Sequence, residues 1–226
     1  MITKEKEIVY PKLGRIPFGK RILKNTLDKK QLDMLLKDRV VVEEKMDGKH
    51  IRFETQDYVI FAEDMKRQHT IFYVLPGRYA VFDIYDKKRE VFVSSEEKIK
   101  LSFDLRKGKI MVENIDPILF FPIPTIEKGK FRPEELFQMI GLSAYARDNN
   151  KERTYMEGIV VKPDMEMTLQ VFLGGKIVRQ EFEEGIKIHY LRLPARYNII
   201  NPSLEVVVFL KNMPPNYPSL LESVGQ

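Results

Sequence analysis

Val40-Val41-Val42-Glu43-Glu44-Lys45-Met46-Asp47-Gly48-Lys49-His50-Ile51-Arg52 reads as a strand, a lysine, an acid and a glycine turn. The β-branched run of Val40, Val41 and Val42 favours a buried strand. Gly48 permits a tight turn just behind it. Lys45 then stands at the strand end, with its amine in whatever cleft lies there. Asp47, two residues on, is near enough to hold a cation or a proton. This order suits a nucleophilic lysine. Such a lysine must be neutral to react, and burial beside another positive group lowers its ordinary pKa of about 10.4. The competing reading is a surface lysine beside a turn. Lys-x-Asp-Gly arises by chance in roughly one chain of this length in twenty, so the rest of the chain has to decide.

The 226 residues suit one large domain or one domain with a small appendage. A hydrophobic share of 43% supports a core, and a charged share of 31% describes a well-solvated surface. No apolar run approaches the ~20 residues of a membrane helix. Met1-Ile2-Thr3-Lys4 has no apolar stretch behind it, so no signal peptide is expected and a cytoplasmic location is. Cysteine is absent, which excludes disulfides and thiolate metal sites. With only three histidines, a metal here would be a hard cation on carboxylates, Mg²⁺ or Mn²⁺. A net charge of +5 and a pI near 9.1 favour an anionic partner.

Along the chain, the first 24 residues read as an irregular basic arm. A helix is expected over Thr26–Lys37, capped by Thr26, with Leu32, Leu35 and Leu36 on one face. Strands follow at Val40–Glu44, Ile51–Glu54, Tyr58–Ala62 and Arg78–Tyr85, the last with Ala80, Phe82 and Ile84 on one side and Asp83 opposite Phe82. Ser94 and Glu97 form a capping box for a helix through Leu101. Pro117–Pro124 reads as a packed edge or loop. Pro133 starts a helix to Ile140, ended by Gly141. Ile159–Lys162 is a strand. Leu169–Leu173 and Lys176–Phe182 read as a hairpin turning at Gly174-Gly175, and the last 30 or so residues as a wrapped tail. Many strands with few helices between them predict an α+β fold of antiparallel sheets.

Acids at successive strand ends (Glu63, Asp64, Asp83, Asp86) and a lysine on the last strand (Lys162) are each unremarkable alone. Their order after Lys45 is what nucleotidyl transfer needs: a lysine to attack the α-phosphate, acids for metal and ribose, and a second lysine for the developing charge. Glu44-Lys45-Met46-Asp47-Gly48 resembles the nucleotidyl-lysine motif of the covalent nucleotidyltransferases, a superfamily of ATP-dependent RNA and DNA ligases and mRNA capping enzymes. Phe61-Ala62-Glu63-Asp64, His69-Thr70-Ile71-Phe72-Tyr73, Leu75-Pro76 and Phe82-Asp83-Ile84-Tyr85-Asp86 resemble the third motif block of RNA ligases. Pro133-Glu134-Glu135-Leu136, Ser143-Ala144-Tyr145 and Glu157-Gly158-Ile159-Val160-Val161-Lys162 resemble the fourth. Gly175-Lys176-Ile177-Val178-Arg179 with Phe182 resembles the fifth.

The resemblance implies a ligase-type nucleotidyltransferase domain over residues 1–190, its antiparallel sheets flanking an ATP cleft, and a short extension over 191–226. It implies that Lys45 forms a lysine–AMP adduct from ATP, that AMP passes to an RNA 5′-phosphate, and that a 3′-hydroxyl then seals the strand. Glu63 would hold the ribose, Phe82 would stack on adenine and Glu44 would accept from its amino group. Lys162 and Lys176 would contact the α-phosphate. Glu157 and Asp47 would bind the metal, with Gly48, His50 and Arg52 completing the ATP site. His50 stands where the family usually has Asn or Arg, and the arginine-bearing segment before Glu63 is missing. Gly174 replaces the first base of the fifth motif. About 40 residues follow the fifth motif, too few for the large extra domain that many ligases carry, so substrate engagement would be weak, self-associated as a homodimer, or supplied by a partner. The other readings are an RNA-end-binding protein that does not seal, and a DNA ligase or capping guanylyltransferase.

Overall fold

The Val40 run becomes β2 (Val40–Lys45), buried through Glu44. The computed structural model describes residues 7–17, 24–185 and 194–212. In it β2 lies in a five-stranded sheet ordered β1 (Gly14–Arg15), β14 (Gly175–Val178), β12 (Gly158–Pro163), β2 and β9 (Thr125–Gly129). Antiparallel register sets Lys45 against Gly158, Glu43 against Val160 and Val41 against Lys162. Val160 in turn faces Lys176. Because side chains alternate across a sheet, one face collects Val40, Val42, Ile159, Val161 and Ile177 into a core with Leu35 and Leu136. The other face carries Glu43, Lys45, Val160, Lys162 and Lys176, which line a cleft.

Only Met46, Asp47 and Gly48 separate β2 from β3 (Lys49–Glu54), which belongs to a second sheet. Gly48 is required by close approach: a Cβ there would stand 2.6 Å from Met65 Sδ and 2.9 Å from Glu63 Cβ. The second sheet runs β13 (Met167–Thr168), β7 (Val91–Phe92), β6 (Tyr79–Asp86), β4 (Tyr58–Asp64) and β3, with β8 (Phe120–Pro122) beside β6. Pro117–Pro124, expected to be an edge or loop, thus supplies a buried strand.

The expected alternation of Ala80, Phe82 and Ile84 breaks at a β-bulge. Pairing passes from Phe61 with Asp83 to Ala62 with Val81, leaving Phe82 without an opposite residue. Ala80 and Phe82 pack in one cluster, Val81 and Ile84 in another. The extra residue turns both Phe82 and Asp83 toward the cleft side, where alternation had put them on opposite faces.

A third sheet holds β11 (Arg153–Tyr155), β10 (Leu142–Arg147), β5 (Phe72–Leu75) and β15 (Ile199–Ile200). The last comes from the tail, which wraps as expected as far as it is described. Asn198 locks it: its Oδ1 accepts from Tyr73 N at 2.9 Å and its Nδ2 donates to Met65 O at 2.7 Å. The pairings are antiparallel except β1–β14, β6–β8 and β5–β15.

Helix α1 (Lys29–Leu36) is capped by Asp28, not Thr26, and Gln31 closes the capping box. Helix α2 (Ser95–Arg106) starts at the expected Ser94 cap but continues past Leu101. Glu97 pairs with Arg89. Helix α3 (Pro133–Gln138) stops two residues early. The expected hairpin at Gly174-Gly175 does not form. Leu169–Leu173 is not a strand, β14 pairs with β12 and β1, and Gln180–Gly185 is helix α4. Gly175 serves close packing, since a Cβ there would stand 2.6 Å from Ile16 Cγ1. Among the described residues no helix is long and apolar enough to cross a membrane.

Candidate functional site

Between the first two sheets lies a cleft of about 300 Å³. Its floor is the polar face of β2, β12 and β14; its far wall is His50 of β3, Glu63 of β4 and Phe82 of β6; Tyr10 to Leu13 of the N-terminal arm cover it. Lys45 Nζ stands 2.6 Å from Glu157 Oε1, with the lysine side chain 23% exposed. Burial pushes the Glu157 carboxyl up to about 7, against the pull of Lys45 and with Asp47 and Glu63 adding to the rise. Its Oε2 is buried without a hydrogen-bond partner, as is Oε2 of Glu63. Glu63 Oε1 meets His50 Nε2 at 2.9 Å. The His50 and Phe82 rings lie 5.0 Å apart at 38°, and Tyr10 meets Phe82 edge-on at 4.9 Å.

Lys162 is the most tightly held cation of the cleft. Its Nζ donates to Phe82 O at 2.8 Å and Asp83 Oδ2 at 3.0 Å, and stands 3.1 Å from Glu43 Oε2. Burial would lower its pKa, yet Asp83 and Glu43 hold it above the ordinary lysine range. Glu43 also pairs with buried Lys98 of α2, and Asp83 accepts from Tyr10 Oη at 2.9 Å. Lys176 differs. Burial lowers its pKa, and the charges of Lys45 and Arg15 lower it further.

The structure thus gathers Lys45, His50, Glu63, Phe82, Lys162, Lys176 and, through its main chain, Glu44 in one cleft, with Glu157 on the lysine. The Glu44 side chain is engaged elsewhere, accepting from Ser143 Oγ at 2.5 Å and Ala144 N at 3.1 Å. Besides Glu157, three expected residues stand outside the lining. Asp47 Oδ2 accepts from the N–H groups of Thr70 at 2.8 Å and Ile71 at 3.2 Å. Burial would raise its carboxyl, but His69 and those amides hold it below the usual range. Gly48 packs beneath β4. Arg52 is held by Glu7 at 3.0 Å and by Glu54, beside a separate surface groove. Four contributors escaped the sequence reading: Tyr10 and Lys12 of the arm, Glu43, and Lys98. Glu43 and Lys45 share strand parity, which was a signal for Glu43. Lys98 lies 55 residues from its partner, beyond any local pattern.

Among the described residues no three carboxylate or imidazole groups converge on a common point. A Mg²⁺-like ion needs only one or two protein carboxylates when phosphates supply further ligands. The unpartnered Glu157 Oε2 beside Lys45 fits that mode of binding.

A search of curated proteins returned no match. Among solved structures, an apo-form mutant of a Naegleria gruberi RNA ligase is similar at a TM-score of 0.46 and 14% identity, covering 76% of this chain. This chain spans 60% of that one. A family profile described as RNA ligase matches residues 52–179, more than half of the sequence. That stretch carries Glu63, Phe82, Glu157, Lys162 and Lys176, while Lys45 lies just ahead of it. The chain belongs to the RNA ligase family.

Proposed function

We propose that this protein is an ATP-dependent RNA ligase with Lys45 as its nucleophile. The observation that carries the reading is Lys45 Nζ against Glu157 on the floor of a cleft that also holds Glu63, Phe82 and Lys176. Lys45 Nζ attacks the α-phosphorus of ATP. An N–P bond forms, the bond to the bridging oxygen breaks, pyrophosphate leaves, and the lysine nitrogen gives up a proton. Glu157, 2.6 Å away, accepts that proton and holds Lys45 on line. Phe82 stacks on the adenine, the Glu44 main chain meets its edge, and Glu63 holds the ribose, oriented by His50. Lys176 lies over the phosphates; Lys162 braces the wall behind Phe82. Glu157 would hold a divalent cation, which would neutralise phosphate charge, and Asp47 adds its negative charge from behind while fixing the Thr70–Ile71 loop. AMP then passes from Lys45 to an RNA 5′-phosphate, and a 3′-hydroxyl displaces it.

Incubation with α-labelled ATP and Mg²⁺ should label the protein, and Lys45→Ala should abolish the label. Labelling that survives in Lys45→Ala contradicts the reading. Labelling from GTP in place of ATP would favour a capping enzyme, and sealing of nicked DNA over RNA a DNA ligase. One observation favours a protein that binds RNA ends without sealing them: Lys162 is tied to three acceptors, which leaves fewer cations facing the cleft. That protein would bind 5′-phosphorylated RNA and yield no joined product.

A further inference from the structure

A second groove, about 390 Å³, opens beside β14 and β1. Lys176 borders both this groove and the nucleotide cleft. Arg15, Lys176 and Arg179 line the groove, with Phe137 and Ile140 as an apolar wall. Arg15 is committed to Glu183 at 2.5 Å. Arg179 is not: among the described residues no carboxylate pairs with it. Its main-chain N–H donates to Glu157 O at 2.9 Å, and its Nε to Met156 O at 3.2 Å. These bonds anchor Arg179 to the backbone of Met156 and of Glu157, the residue that touches Lys45. Its guanidinium lies 5.5 Å from the centre of the Tyr155 ring. Tyr155 is 52% exposed and pairs across the sheet with Leu142, itself 44% exposed. A large aromatic ring kept in water beside an arginine is a surface suited to a nucleobase.

We propose that this groove is the docking site for the 5′ end of single-stranded RNA. The terminal phosphate sits between Lys176 and Arg179, and the adjoining base stacks on Tyr155. The inference rests on the ligase reading, because it puts the phosphate that must receive AMP on the same sheet as Lys45, with β12 between. Phosphate contacts fix register and a stacked base adds sequence-tolerant affinity, so the site would take any 5′-phosphorylated end. Glu181 and Glu183 at the groove's rim discourage a second phosphate there.

The test separates loading from transfer. Arg179→Ala and Tyr155→Ala should label Lys45 from α-labelled ATP within about twofold of the unaltered protein. Each should transfer label to 5′-phosphorylated single-stranded RNA at least about tenfold more slowly, the size of one stacked base or phosphate contact. Tyr155→Phe should retain transfer. Unchanged transfer in both alanine variants overturns the proposal. Equal losses in loading and transfer also overturn it, assigning the groove to pyrophosphate or nucleotide. Absence of label on the unaltered protein would defeat the ligase reading instead. Binding then decides the groove: fluorescence anisotropy should show preference for 5′-phosphate over 5′-hydroxyl RNA, lost in Arg179→Ala. No preference, or one that survives the substitution, overturns it.

Discussion

Glu157 is the residue whose chemistry is most altered by its surroundings. It is buried, half-partnered and close to two other carboxylates, and its pKa rises to about 7. The folded protein therefore binds this proton more tightly than the unfolded chain, whose carboxyl titrates near 4.5. The stabilisation is fully present below about 4.5 and is lost as pH rises through about 7. In metal-free protein it contributes about 3 kcal/mol across that window. Denaturant melts at stepped pH should show the loss, and Glu157→Gln should flatten it; an identical slope in that variant would contradict the assignment. Gly48→Ala is expected to destabilise by about 1–3 kcal/mol, because Met65 and Glu63 must move to admit the methyl group. Chemical denaturation measures it. At this scale the sequence was informative about residues on or next to strands with clear alternation: Lys45, Glu63, Lys176. It also singled out Asp47, but local sequence could not show that its carboxylate accepts from amides 23 and 24 residues away.

At the scale of elements, β2 meets α2 and β6 through a buried quartet of charges: Lys98, Glu43, Lys162 and Asp83. Two cations balance two anions, and Tyr10 adds a hydrogen bond from the arm. Removing one member leaves an uncompensated buried charge. Lys98→Met should cost about 3–5 kcal/mol, and Lys98→Met with Glu43→Gln should recover part of it in the same melts. Equal stability of Lys98→Met and the unaltered protein would show that the quartet is not coupled. Local pattern was enough for β2, β4 and β12, whose apolar runs have the right length and parity. It failed where tertiary contact overrides it. The two glycines before Lys176 look like a turn, but they are small because Leu13 and Ile16 of the arm press against them. The bulge at Phe82 has no residue signature, yet it is what turns Phe82 and Asp83 to the cleft side.

Across the whole molecule, both ends of the described chain close on the middle. The arm pairs with β14 and roofs the cleft; the tail pairs with β5 and is pinned by Asn198. These pairings are parallel and long-range, so no local pattern announced them. Asn198→Ala would leave Tyr73 N and Met65 O unpaired in a buried setting, at about 1–3 kcal/mol each. Differential scanning calorimetry should show the lowered melting temperature. The boundary expected at residue 190 lies outside the described residues. With its +5 charge, the chain should bind RNA more weakly as salt rises. The central claim is narrower: Lys45 carries AMP. Intact-mass analysis after incubation with ATP and Mg²⁺ should show one added AMP, mapped by peptide fragmentation to Lys45 and absent from Lys45→Ala. An unmodified mass, or AMP on any other residue, would contradict it.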